Sequence, residues 1–375
     1  MLMDLQARLD AAVESAIARN KIVGAVLLVA RHGEVVYRRA AGYFDREAKR
    51  PMGDRAIFRL ASVTKPLVAA TALAQVERGL LGLDNSVSDY LPYFRPRLAD
   101  GSEATIRIRH LLTHTAGLGY DYPSDPLINT GLTNTDFGFE ENFTRLAAQP
   151  LLFTPGSRWE YSVAIDVLGA IVAGVHGSTL HDALAHYVTG PLGMKDTGFA
   201  VTDTSRLAPP YADATPEPLR MPDPHTVTND KGDSTSFSPG RIFNRRAFQS
   251  GGAGAVGTAD DLLAFFEAIR TGGGPILLND TVAQAVQNQI GDAPRKDEDA
   301  GRRFGWFGSV LVDPRLADTP QGAGTIDWGG IYGHSWFIDP VAGLTMVSLT
   351  NTAVEGCTGN YPTELIDAIY DRQPD

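Results

Sequence analysis

Strand-like runs stand near the two ends of this chain and helical patterns fill the space between, a division that constrains the fold more than any other feature. Residues 25–31 and 35–42 are apolar-rich and joined by His32-Gly33-Glu34, which predicts an antiparallel hairpin after a first helix in residues 1–20. Residues 305–312, 325–328, 335–338 and 344–350 read as further short strands, followed by a helix from about Pro362 to Tyr370. Residues 65–79, 143–148, 163–175, 180–187 and 259–270 carry helical patterns separated by Gly, Pro and Asp clusters. A sheet built from both chain ends, with helices packed on it and a helical lobe between, is an α+β fold. The expected division is a discontinuous α/β domain on an antiparallel sheet (residues 1–60 and 250–375) and a mainly helical domain (residues 61–249), with the active site between them. The Pro-, Asp- and Thr-rich stretch 209–244 is too long for an ordinary connection and is either a pocket-covering loop or surface.

With 43% apolar and 21% charged residues, a chain of 375 residues can bury a large core. Its 44 acidic against 33 basic residues, a net charge of −11, argue against nucleic acid as a partner, because binding phosphates draws on clustered Lys and Arg. A single cysteine, Cys357, excludes an intrachain disulfide framework and reads as an inert core or surface residue. Asp4, Arg8, Asp10, Glu14 and Arg19 interrupt the first helix, leaving no h-region of a signal peptide. No stretch reaches the roughly 18 apolar residues of a membrane span. The expectation is a cytoplasmic protein that meets no membrane, with the oligomeric state left open.

Ser62-Val63-Thr64-Lys65 introduces a helix, and a spacing of three puts the serine oxygen and lysine nitrogen on one helical face. Serine is a poor nucleophile until a base takes its proton, and a lysine serves only if burial or charge lowers its pKa from about 10.4 toward neutrality. Pro66 supports a helix start, since proline is tolerated in the first turn. It also biases Lys65 away from helical angles. Ser62 would then sit at a positive helix end, where its own N–H helps bind an oxyanion. Alone, the pattern also suits a solvated helix. Pro155-Gly156-Ser157-Arg158-Trp159-Glu160-Tyr161-Ser162 is a turn leading into a helix near Val163, with Ser162 a possible N-cap. A phenol beside an ammonium is stabilised as phenolate, so Tyr161 is a candidate proton acceptor, or else an aromatic capping the core. Trp328-Gly329-Gly330-Ile331 lies on a strand edge where glycines permit close approach of a ligand, with the Ile331 amide a second oxyanion donor, or forms an ordinary bend.

These segments, with Arg109-His110-Leu111-Leu112-Thr113-His114-Thr115-Ala116-Gly117-Leu118 and Ser250-Gly251-Gly252-Ala253-Gly254, occur in the order found in class C β-lactamases and their relatives. The chain most resembles family VIII carboxylesterases. That resemblance implies a β-lactamase/transpeptidase-like fold, Ser62 as nucleophile, Lys65 and Tyr161 as the base pair, and the Ser62 and Ile331 amides as the oxyanion hole. It further implies a small-molecule ester as partner, no cofactor and no metal. Val163 and Trp328 depart from the lactamase pattern, which has asparagine third in the tyrosine motif and lysine opening the Lys-Thr-Gly motif. Neutral esters suit the substituted site better, and Trp328 offers an apolar face and one N–H. Acyl transfer is the near variant; a β-lactamase or D-amino-acid peptidase is the second enzyme reading, and a catalytically dead scaffold the third. Tyr120, Phe137 and Trp336, near the motifs in sequence, are expected beside Trp328, Gly329 and Gly330 in the substrate pocket.

Other signals carry less. Gly252-Ala253-Gly254-Ala255-Val256-Gly257 matches a dinucleotide fingerprint, but residues 244–250 are too polar for a buried strand, and Thr258-x-x-Asp261 reads as a capping box. His110 and His114, or His176, His181 and His186, lack the spacing of a metal site and are read as structural. Gly333-His334-Ser335-Trp336-Phe337 lacks the final glycine of a nucleophile elbow.

Overall fold

The computed structural model describes residues 2–228, 232, 234–293 and 300–372. Eight strands form one antiparallel sheet: β1 (Gly24–Arg31), β2 (Glu34–Asp45), β3 (Arg50–Pro51), β4 (Arg302–Phe304), β5 (Ser309–Leu311), β6 (Ile326–Gly330), β7 (His334–Asp339) and β8 (Leu344–Thr350). Their spatial order is β4-β5-β6-β7-β8-β1-β2-β3, so strands from the two chain ends meet where β1 pairs with β8. His32 and Gly33, with φ of 51° and 89°, make the tight turn between β1 and β2, the left-handed geometry that matches strand twist.

β1 is buried along nearly its whole length because the sheet is covered on both faces. Ala25, Leu27 and Val29 join Phe337 and Met346 against α1 (Leu2–Ala18) and the C-terminal helix. Val26 and Leu28 alternate to the other face, in the core shared with α2 (Thr64–Glu77), α3 (Ala164–His176) and α4 (Ala259–Arg270). A short α5 (Glu355–Thr358) precedes α6 (Tyr361–Tyr370), the C-terminal helix.

α2 is apolar all round and buried from Thr64 to Gln75, as befits a helix inside a core rather than on a surface. Gln75 Nε2 donates to Val172 O at 3.0 Å, tying α2 to α3. α3 ends at Gly177 in the left-handed conformation, a common helix stop. α4 starts at the predicted place, with Thr258 Oγ1 accepting from Asp261 N. The return half of the box is absent among the described residues: Asp261 instead accepts from Asp196 N and Thr197 Oγ1.

One expectation needs correction. Residues 305–312 are not one strand; Gly305 and Gly308 lie in the turn of a β4–β5 hairpin whose first strand begins at Arg302. The stretch 209–244, read as a pocket-covering loop or surface, contains short strands at Tyr211–Ala212, Leu219–Arg220, His225–Thr228 and Ser234–Phe237. Among the described residues no single helix is long and apolar enough to cross a membrane.

Candidate active site

Ser62 lies in a 3-10 turn, Ala61–Val63, that runs straight into α2. Thr64 has helical angles and Lys65 continues the helix, so the proline at 66 falls in the first turn without displacing it. Ala61, next to the serine, has φ of 45°, a left-handed conformation that costs a residue bearing a Cβ of order 1 kcal/mol or more. Nothing in the sequence signals this bend. It is held from two sides: Phe58–Arg59 pairs with Val256–Gly257, and His334 Nε2 donates to Arg59 O at 2.7 Å.

Lys65 is 5% exposed, and its Nζ donates to Ser62 Oγ at 3.0 Å and to Gly252 O at 2.7 Å. The glycine-rich stretch from 252 to 257 is therefore part of the wall around the lysine. Ala255 N donates to Thr64 Oγ1, locking that wall to the start of α2. Beneath it, Asp166 of α3 accepts from Ser250 Oγ at 2.5 Å and Gly252 N at 3.1 Å. Burial pushes the Asp166 carboxyl up, opposed by the charge of Lys65 and by these two donors. No spacing rule pointed to Asp166.

Tyr161 comes to the same place from the other side. Lys65 Nζ lies 4.7 Å from its ring centre, and Trp328 Nε1 donates to its hydroxyl at 3.0 Å. His114, itself at φ 56°, fixes the segment: its carbonyl accepts from Glu160 N, and its Nδ1 accepts from Ser162 N and lies 3.1 Å from Ser162 Oγ. Ser162 thus serves His114, and its contact to Ala164 N, at 3.4 Å, is the weaker one. His110 is structural too, accepting from Arg107 N; burial lowers its pKa to about 4. Tyr120 stands 5.4 Å from the Tyr161 ring and 5.7 Å from Lys65 Nζ. Burial, reinforced by Tyr161, pushes the Tyr120 phenol well above its ordinary range and keeps it neutral.

Ser62, Tyr161, Trp328, Gly329 and Ile331 line one cavity of about 470 Å³. The two glycines permit close approach, but to protein: a Cβ on Gly330 would lie 2.3 Å from Leu60 O, and one on Gly329 2.7 Å from Cys357 Sγ. Cys357 also lines the cavity, where burial pushes its thiol up to about 12. Trp336 borders the cavity, yet its ring is 2% exposed and stacked on Phe266 of α4 at 4.1 Å, so it belongs to the core. Phe137 does not line the cavity; its ring packs under the Arg145 guanidinium, 5.0 Å away. Val163 is 1% exposed and presents nothing to a ligand.

A profile of the Beta-lactamase family matches residues 9–369. Esterase EstB of Burkholderia gladioli is 49% identical over 377 residues, which cover 98% of this chain and 96% of that protein. The structure of EstCE1, described as a hydrolase with promiscuous acyltransferase activity, superposes with a TM-score of 0.93 at 44% identity, covering 98% of this chain and 99% of EstCE1. A penicillin-binding protein homologue from Caulobacter crescentus shares the fold, with a TM-score of 0.73 at 23% identity over 98% and 97% of the two chains. On the full-length profile match and these similarities, the chain belongs to the beta-lactamase family, within its family VIII carboxylesterase branch.

Proposed function

We propose that this protein is a serine carboxylesterase that hydrolyses short to medium acyl esters through an acyl-enzyme on Ser62. The observation that carries the reading is that Ser62 and Tyr161 line one cavity while Lys65 Nζ lies 3.0 Å from Ser62 Oγ and 4.7 Å from the Tyr161 ring centre. Lys65 donates to Ser62 Oγ, so the serine proton points away from the lysine, and Tyr161 is the group we assign to take it. The serine oxygen then attacks the ester carbonyl. The developing oxyanion is assigned to the backbone N–H groups of Ser62 and Ile331. Return of the proton from Tyr161 releases the alcohol, and a water activated by the same pair frees the acid. We further read residues 61–249 as a helical lobe and 1–60 with 250–375 as the sheet-bearing one, with the cleft between them.

Neutral esters are favoured because Trp328 brings an indole where a lactamase carries an ammonium, and its N–H is already engaged with Tyr161. Acyl transfer to an alcohol is a second reading, supported by the similarity to EstCE1. Hydrolysis of p-nitrophenyl acetate and butyrate, with nitrocefin run beside them, tests the proposal. Ester turnover is expected to exceed nitrocefin turnover and to fall at least about a thousandfold in Ser62→Ala. Retained activity in that variant would remove Ser62 as the nucleophile.

A further inference from the structure

The wall that holds Lys65 borders a second cavity. While Gly252 O accepts from Lys65, Ser250, Ala253 and Gly254 line a separate space of about 430 Å³, and Tyr332, next to Ile331, completes its wall. The exposed ring of Phe243 also lines it, so the cavity opens to solvent.

Of the three arginines in this wall, Arg245 is exposed, and Arg59 and Arg241 are half-buried. Among the described residues Arg59 donates only to backbone carbonyls, Pro239 O at 2.8 Å and Ala208 O at 3.1 Å. Arg241 donates to Phe248 O at 3.0 Å, and its Nε is sealed from solvent with no acceptor among the described residues. A guanidinium has five N–H donors, of which the described residues engage two on Arg59 and one on Arg241. Among the described residues neither forms an ion pair. Arg206, Arg270 and Arg302 differ, each being paired with a carboxylate, of Asp196, Glu267 and Asp327 respectively.

The acidic groups whose fields reach these arginines are Tyr332 and one carboxylate each, and the Asp166 Oδ2 has no hydrogen-bond partner among the described residues. Asp223, which acts on Arg59, accepts from Gly240 N; Asp166, which acts on Arg241, accepts from Ser250 Oγ and Gly252 N. Burial lowers both guanidinium pKa values, that of Arg241 to about 10, which leaves it charged at neutral pH. Both groups are part-buried, Arg241 over the Phe248 ring at 4.8 Å, and a planar carboxylate is the anion whose geometry fits the guanidinium fork. Around the charged pair the lining is mixed, with Leu132, Phe199, Val201 and Ile242 beside polar Asn244 and Gln249.

We propose that this cavity binds an amphipathic monocarboxylate, its carboxylate on Arg59 and Arg241 and its apolar body against Leu132, Phe199 and Ile242. Such a ligand belongs to the chemical class of the acid that ester hydrolysis releases, and that link alone rests on the esterase reading. The occupied site would lean on the same loop that holds Lys65 and Asp166.

Isothermal titration of the protein, with Ser62 first blocked by a phosphonate, tests the site with 3-phenylpropanoate and its uncharged amide as probes. The acid is expected to bind saturably and the amide at least about tenfold more weakly, the loss that charge-assisted hydrogen bonds predict. Arg241→Gln and Arg59→Gln are each expected to weaken the acid about tenfold and leave the amide unchanged. The acid–amide comparison needs no altered side chain and so decides the matter even where a variant fails to fold. Equal binding of the two probes, or no binding up to about 10 mM, overturns the site. Binding abolished by the phosphonate would place the anion in the Ser62 cleft and overturn it too. If the phosphonate does not label Ser62, the esterase reading fails, while titration of the unlabelled protein against R241Q still tests the cavity.

Discussion

Trp328 stands where class C β-lactamases open their Lys-Thr-Gly motif, and its indole N–H donates to the Tyr161 hydroxyl at 3.0 Å. A neutral donor holds that oxygen in place without adding a charge for a substrate carboxylate to seek. Trp328→Phe keeps the aromatic bulk and removes the donor. The expected result is a fall in kcat for p-nitrophenyl butyrate of about ten- to a hundredfold with little change in KM. An unchanged kcat would show that the bond only positions Trp328. At this scale Ser62, Lys65 and Tyr161 were legible because each sits in a short motif whose spacing has a chemical reason. Ala61 was not, because a left-handed angle on an alanine is imposed by the strands and His334 around it. Nor was Asp166, which meets Ser250 and Gly252 across 84 and 86 positions of sequence.

Elements place these residues by pressing two stretches of backbone together. The end of β6 meets the nucleophile turn so closely that a methyl group on Gly330 would collide with Leu60 O. Gly330→Ala is expected to lower Tm and to reduce esterase kcat by at least about tenfold, since an angstrom-scale shift of the turn misaligns the reacting atoms. Melting and turnover identical to the native protein would contradict the close approach. Element types read well from the sequence wherever the periodicity was long, as in α2, α3 and α4. The β4–β5 hairpin was missed because Arg302 and Arg303 carry no apolar signal and two glycines divide the run. The register pairs Trp328 with Trp336 on one face of the sheet, so pattern alone does not say which faces the cavity. Both border it, and packing of α4 through Phe266 is what leaves Trp336 buried while Trp328 is only part-buried.

On the scale of the whole molecule, the sheet buried on both faces couples stability to pH through His334. This residue is 1% exposed, and burial lowers its pKa to about 4 from an ordinary 6.5. Between those values the unfolded chain binds more protons, so stability rises with pH across this window and is lost as pH falls from about 6.5 to 4. The loss attributable to His334 is roughly 3 kcal/mol. Urea unfolding at pH 7 and pH 4 should therefore show a smaller acid penalty for His334→Gln than for the native protein, and equal penalties would contradict the assignment. The general architecture was legible because strands at both chain ends have only each other to pair with. The cavity walled by Arg59 and Arg241 was not, because neither residue stands in a motif.

Covalent capture of the acyl group is the most direct test of the central claim. The protein mixed with p-nitrophenyl butyrate would be acid-quenched on the millisecond scale, digested and mapped by mass spectrometry. A butyryl group on the peptide containing Ser62, formed with a burst of nitrophenol and absent in Ser62→Ala, is the predicted result. Steady ester turnover with the acyl group on another residue, or with an equal burst from Ser62→Ala, would contradict it.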